Sequence, residues 1–319
     1  MLIHKGCAMN YIKNFVYSIF FALLLVTQVG AAKTITINSN HYTDKHLDAV
    51  GAVFNIEGSN ASVGTGTYIG NKRILTAGHI FYDLLPKSVP QKSGPVTINI
   101  SDKRVFWTNQ QELDFSFLQS AVYHASSITV DASFINNLKA DIHNPNQSDV
   151  KCDIAILTLD QPVENVSAIL LPDDHPVIPD EGLLVGYGRG GQVLHNKHAR
   201  AQALHGVQDM GDWAIFMSNL TEDMKYNPLH LGADQQDVKL EMLLGKDTLG
   251  IEDTQITRAT QGDSGGPLLM ATEDGGIHVI GIMSANSEIF NAFASLVVKT
   301  PAGLFRSPSL DALIRAATQ

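Results

Sequence analysis

Cysteine is nearly missing from this chain. Two occur in 319 residues, Cys7 and Cys152. Cys7 lies in a stretch read below as a removable leader, so Cys152 is the only thiol of what remains. An intramolecular disulfide is therefore excluded, and stability has to come from packing. Cys152 sits inside an apolar strand pattern, which suits a buried, inert thiol better than a reactive one. Charge is also sparse. Charged residues make up 17%, the formal net charge is −10, and there is no long acidic run. That balance argues against nucleic acid as a partner. Aromatics are few, at 7%. The longest apolar run, Phe15 to Val26, is too short for a comfortable transmembrane helix. What is present is 44% hydrophobic residues, enough for a sizeable core, over a length that suggests two domains of about 100–200 residues each.

The N-terminus reads as a targeting segment. Lys5 and Lys13 form a basic region, Phe15 to Val26 an apolar one, and Val29-Gly30-Ala31-Ala32 supplies small residues for cleavage. Met9 as the start would give a tighter version of the same signal. Residues 1–32 are thus expected to be a signal peptide that exports the chain to the periplasm or the cell exterior. The mature chain should then have no stable membrane association. A retained N-terminal anchor is the competing reading.

From Ala49 onward, short extended pieces alternate with turn residues. Val50 to Ile56, Val63 to Ile69 and Arg73 to Thr76 are strand-like, separated by Glu57-Gly58-Ser59-Asn60 and Gly70-Asn71-Lys72. Val96 to Ile100 and Ser127 to Val130 continue the pattern, which is that of an all-β barrel or sandwich. The loop Asp141 to Asp149 is rich in oxygen ligands but fits no calcium-loop spacing, so it reads as a polar turn. Pro162 to Pro179 is a Pro- and Asp-rich connection and marks the domain boundary. Strand-like pieces resume at Gly182, and Gly206 to Gly250 reads as a weakly patterned insertion. Near the C-terminus, Leu310, Leu313, Ile314 and Ala317 have helical spacing, with Ser309 as the expected N-cap. The resulting division is 1–32 leader, 33–165 first barrel, 166–306 second barrel and 307–319 helix.

One octet organises the rest: Gln261-Gly262-Asp263-Ser264-Gly265-Gly266-Pro267-Leu268. Its glycines permit a tight turn that exposes the Ser264 hydroxyl. The same turn aims the N–H groups of Gly262 and Ser264 at one point, where an oxyanion would develop. A serine needs a base and an orienting group to act as a nucleophile. His79 ends Leu75-Thr76-Ala77-Gly78-His79, after small residues that leave its ring reachable, and histidine titrates near neutral pH. Asp153 heads the apolar run Ile154 to Leu159. A carboxylate there is expensive to bury alone, and a histidine N–H would satisfy it. His195, His198 and His205 lack acidic or thiol ligands at matching spacing, so no metal and no cofactor are expected.

At these residues the chain resembles the trypsin/chymotrypsin-like serine endopeptidases, in a disulfide-free bacterial form. Thr76-Ala77-Gly78-His79, Asp153-Ile154-Ala155-Ile156-Leu157 and Gly262-Asp263-Ser264-Gly265-Gly266-Pro267 look like the family's three motifs. Gly64 to Ile69, Gly186-Tyr187-Gly188 and Gly281-Ile282-Met283-Ser284 are similar to supporting segments. The resemblance implies two six-stranded antiparallel β-barrels with a C-terminal α-helix. It implies a His79–Asp153–Ser264 triad in the crevice between the barrels and an oxyanion hole made by Gly262 and Ser264. The implied partner is a polypeptide substrate, acted on by a monomer. The alternative is a catalytically silent binding or regulatory protein that keeps the fold.

The chain departs from that pattern in three places. Ile80 and Thr260 stand where many secreted relatives have cysteine. No Ile-Val-Gly-Gly start is evident, so Asp263 is expected to pair with a processed N-terminus near Thr34 to Asn38 or with a basic side chain. By the resemblance, Arg258 lies at the base of the primary pocket, with Ser284 and Asn286 also binding substrate. A guanidinium there disfavours Lys and Arg side chains and favours Asp or Glu. Neutralised by Asp253 or Glu252, it would leave a pocket for small or apolar residues instead.

Overall fold

The computed structural model describes residues 44–58, 60–110, 122–138, 152–172, 181–188, 192–194, 197–209, 214–219, 259–272, 276–286, 290–300 and 303–318. The chain divides into two compact units, one of residues 35–220 with 252–319, the other of residues 1–34 with 221–251. Everything described lies in the first unit. The leader, the Thr34–Ile37 strand, the Asp141–Asp149 loop, His195 and Arg258 lie outside the described residues.

A single helical turn, α1 (Asp44–Leu47), precedes the first sheet. That sheet contains β1 (Val50–Glu57), β2 (Asn60–Tyr68), β3 (Arg73–Thr76), β4 (Pro95–Asn99), β5 (Val105–Thr108), β6 (Tyr123–Asp131) and β7 (Ala155–Leu159), with α2 (Ala132–Asn137) after β6. Its order is β4-β6-β5-β1-β2-β3-β7, and β6 also pairs with β7. Six strands therefore close into a barrel, and β4 extends it as a flap on β6. Closure removes the unpaired edges that an open sheet would present. The β2–β3 connection is the hairpin expected at Gly70-Asn71-Lys72. All three residues have positive φ, at 89°, 49° and 63°, which matches the twist of the flanking strands.

The second sheet contains β8 (Glu181–Gly186), β9 (Gln192–Leu194), β10 (Lys197–Asp209), β11 (Ala214–Asn219), β12 (Pro267–Ala271), β13 (Ile277–Asn286) and β14 (Phe290–Ser295). Its order is β11-β14-β13-β12-β8-β10-β9, and β10 also pairs with β11, which again closes six strands. All pairings within both sheets are antiparallel. β10 and β11 occupy part of the stretch expected to be an insertion. β10 alternates over Ala199 to Ala203 but is bulged between Leu204 and Val207, which breaks the period-two pattern where the stretch begins, and β11 does not alternate cleanly. A hairpin of β15 (Val297–Thr300) and β16 (Gly303–Arg306) leads into the last helix.

Burial follows the pattern of small closed barrels, whose interiors are filled by side chains. Leu75, Trp107, Ile128, Val130 and Ile156 of the first barrel share one buried cluster with Leu183, Val185, Val279 and Ile282 of the second. Cys152 is fully buried, within 3.2 Å of the Ser133 hydroxyl, as expected of an inert thiol. The terminal helix α3 (Pro308–Ala316) is capped by Ser307, not Ser309. The Ser307 side chain accepts from Leu310 N–H, and Pro308 takes the first helical position, where its missing N–H costs nothing. Although it follows the second barrel, α3 packs on β4, β6 and β7 of the first. Leu310 and Leu313 are fully buried there, and Thr158 Oγ1 donates to Ala317 O at 2.9 Å. Leu313→Ala is expected to cost about 2–5 kcal/mol, read as a lower midpoint in urea unfolding.

Candidate active site

His79 does not end a strand. β3 stops at Thr76, and His79 lies in a 3-10 turn, Gly78–Phe81. Asp153 sits two residues before β7, whose partner is β3. The β3–β7 register pairs Thr76 with Ala155, and that pairing brings the two side chains together. Asp153 Oδ1 accepts the His79 backbone N–H at 2.8 Å, and Oδ2 meets His79 Nδ1 at 2.7 Å. Oδ2 also accepts the Ser284 hydroxyl at 2.5 Å, from β13 of the second barrel. Asp153 is 3% exposed. A carboxylate so buried is tolerable because three donors surround it.

Those contacts set the histidine. An ionised carboxylate is acceptor-only, so Nδ1 carries the proton in the neutral ring and Nε2 is left as the acceptor. About a third of the ring remains solvent-accessible (36%). Burial alone would lower its pKa, but the Asp153 charge and hydrogen bond oppose that, and the net direction is upward from the ordinary 6.5.

Ser264 reaches this neighbourhood through its backbone. Its carbonyl accepts the Thr65 N–H of β2 at 2.7 Å. Gly262 and Gly265 have φ of 101° and 81°, values that favour glycine. A Cβ on Gly265 would fall 2.2 Å from Thr76 Oγ1 and 2.8 Å from Ala77 N. The turn is therefore seated directly against Thr76-Ala77, two residues before His79. Ser264 itself is partly exposed. Asp263, Gly265 and Gly266 donate their N–H groups to Thr260, Met283 and Asp263 carbonyls at 3.0, 2.8 and 2.8 Å. Among the described residues, the N–H groups of Gly262 and Ser264 have no such acceptor. These are the two expected to face an oxyanion.

Asp263 is fully buried. Its partners include the Gly188 N–H at 3.0 Å, the Thr260 N–H at 2.8 Å and the Thr260 hydroxyl at 3.2 Å. Backbone and hydroxyl donors are thus among its partners, a kind not expected from sequence; residues 34–38, expected to supply a processed N-terminus, are outside the described residues. Ser284, expected to bind substrate, donates its hydroxyl to Asp153. Asn286 pairs with Asn291 at the end of β13. A cleft of about 230 Å³ beside His79 is lined by Asn55, Glu57, Ser62, Ile80, Tyr82 and Asp83. Sequence reasoning missed this cleft, because its walls come from three separate segments of the first barrel. It also missed Thr65, which lay inside the quoted Gly64–Ile69 match.

The raised His79 pKa has a definite sign in pH experiments. Protonated His79 paired with Asp153 stabilises the fold fully below about pH 6.5, the unfolded histidine value. That contribution is lost as pH rises through the higher folded value. Chemical-shift titration of His79 should give a midpoint above 6.5, and Asp153→Asn should lower it, because the attracting charge is gone while burial remains.

The trypsin family model matches residues 37–210, a span that includes His79 and Asp153 and ends before Ser264. Among solved structures, the chain is similar to a protease from M. tuberculosis in its active form, with 12% identity, 85% of this chain and 87% of that one covered, and a TM-score of 0.44. It is also similar to a scabies mite inactivated protease paralogue, with 15% identity, 90% and 98% covered, and a TM-score of 0.43. Comparison with curated proteins finds no match. With the match spanning more than half of the sequence, the chain belongs to the trypsin family.

Proposed function

We propose that this chain is an exported serine endopeptidase that cleaves polypeptides through an acyl-enzyme on Ser264. The observation that carries the reading is the seating of the Ser264 turn against Thr76-Ala77, beside a histidine whose Nδ1 is committed to a buried carboxylate. Ser264 Oγ attacks the scissile carbonyl carbon while His79 Nε2 takes its proton. Asp153 keeps the ring oriented and stabilises the imidazolium. The N–H groups of Gly262 and Ser264 receive the oxyanion. Collapse breaks the C–N bond, and His79 returns the proton to the leaving amine. Water then adds to the acyl carbon, again with His79 as base, and releases the acid and free Ser264.

The cleft lined by Asn55, Glu57 and Asp83 adjoins His79 and gives room for a side chain of the bound polypeptide. Arg258 remains the proposed determinant of the residue before the scissile bond, with acidic and small or apolar residues as the two alternatives. Export rests on the leader pattern of residues 1–32.

A fluorophosphonate probe should label the mature protein and leave Ser264→Ala unlabelled, with peptide hydrolysis falling by about 10⁶-fold in that variant. Correctly folded wild type that takes no label would favour the silent binding protein. In a peptide panel varied only before the scissile bond, acidic or small apolar residues should be cleaved fastest. Fastest cleavage after Lys or Arg would overturn both readings of Arg258.

A further inference from the structure

Thr65 is fully buried on β2, yet its hydroxyl works entirely outside the first barrel. It donates to the Gly262 carbonyl at 2.7 Å and accepts the Tyr187 N–H at 3.1 Å. The backbone of the same residue is engaged as well. Its N–H donates to the Ser264 carbonyl at 2.7 Å, and its carbonyl accepts the Thr76 hydroxyl at 2.7 Å.

These bonds fall on alternate peptide groups of the turn. The Gly262–Asp263 peptide is held at both ends, its oxygen by the Thr65 hydroxyl and its N–H by the Thr260 carbonyl. The Ser264–Gly265 peptide is also held at both ends, its oxygen by the Thr65 N–H and its N–H by the Met283 carbonyl. The N–H groups without an acceptor among the described residues belong to the peptides on either side of Gly262–Asp263, namely Gln261–Gly262 and Asp263–Ser264, the latter held at its oxygen by the Gly266 N–H. A planar peptide fixed at oxygen and hydrogen cannot rotate, so its neighbours lose one of their two soft torsions. Gly262 has no side chain to restrict it and sits at a φ of 101°. Its conformation therefore depends on what its peptide groups bind.

We infer that Thr65 is a positioning residue for the oxyanion site: its hydroxyl fixes the Gly262 carbonyl and thereby aims the Gly262 N–H. The inference rests on the peptidase reading above. It adds to that reading a requirement for a hydroxyl on a strand of the barrel opposite the nucleophile. Valine keeps the shape but lacks the hydroxyl; serine keeps the hydroxyl but lacks the methyl.

The test measures kcat and KM on a peptide ester, per site titrated with a fluorophosphonate, for wild type, Thr65→Val and Thr65→Ser. Ser295→Ala serves as a control, since it loses a different buried hydroxyl bond, to Val297 O at 2.7 Å. Losing an oxyanion donor outright costs about 10²–10³ in kcat, so misaiming one in Thr65→Val should cost about 10–100-fold. KM should stay within about threefold, because the loss falls on the transition state. Thr65→Ser should recover most of the rate. Ser295→Ala should lower the melting temperature without changing kcat per titrated site. Should Thr65→Val not fold, Thr65→Ala, which adds no methyl against Gly262 O, must show the same kcat loss.

Wild-type kcat per site in the folded variant lacking the hydroxyl would overturn the inference. So would a Thr65→Ser as slow as Thr65→Val, since packing and not the hydroxyl would then be responsible. Wild type that neither titrates nor turns over would bring down the peptidase reading itself, and the positioning role with it. Active wild type with an unaffected Thr65→Val brings down only the latter.

Discussion

A carboxylate buried to 3% exposure has to be surrounded by donors, and Asp153 imposes that condition on both barrels. Two of its donors come from His79, through the ring and the backbone, and one from Ser284. The His79 bonds fix the ring tautomer and the path of the 3-10 turn. The Ser284 bond ties β13 to the first barrel. Removing any of these donors leaves a charge without enough partners, which is far more costly than losing a surface ion pair. The β3–β7 register, the short turn after Thr76 and the position of β13 are all needed to satisfy this one group.

The serine turn is assembled by the same logic from the other side. Gly265 has no room for a side chain between Thr76 and Thr65. Asp263 is folded inward onto Gly188 and Thr260. Pinning alternate peptides leaves the Gly262 and Ser264 N–H groups without an acceptor among the described residues. In a water-excluded site such fixed dipoles need not reorganise when charge develops. The terminal helix adds stability at a distance, by burying Leu310 and Leu313 against the barrel that carries the histidine.

Much of this was legible in the sequence because it was local. The Gly70-Asn71-Lys72 hairpin, the strands around it and the three motifs are each set by neighbouring residues. Strand density and turn residues pointed to a barrel or sandwich, and the two closed six-stranded barrels are what the family resemblance implied. What stayed hidden depends on distant partners. Thr65 looks like an ordinary strand threonine until Gly262 and Tyr187, 197 and 122 positions away, are placed beside it. The Ser284 bond was hidden for the same reason: its hydroxyl turns to Asp153, 131 positions back. β11 was hidden by weak alternation, and the cap moved from Ser309 to Ser307 because Pro308 fits the first helical position better than the interior. Missing cysteines were informative from the outset, since they left burial and polar satisfaction as the sole means of fixing the site.

The central claim is that Ser264, His79 and the N–H groups of Gly262 and Ser264 act on one atom group. A crystal structure of the mature protein with a peptide boronic acid tests this most directly. The account predicts a boron–oxygen bond to Ser264 Oγ. One boronate oxygen should lie about 3 Å from both N–H groups and another within reach of His79 Nε2. A folded protein that forms no adduct, or an adduct whose oxygens bind away from Gly262, would contradict it.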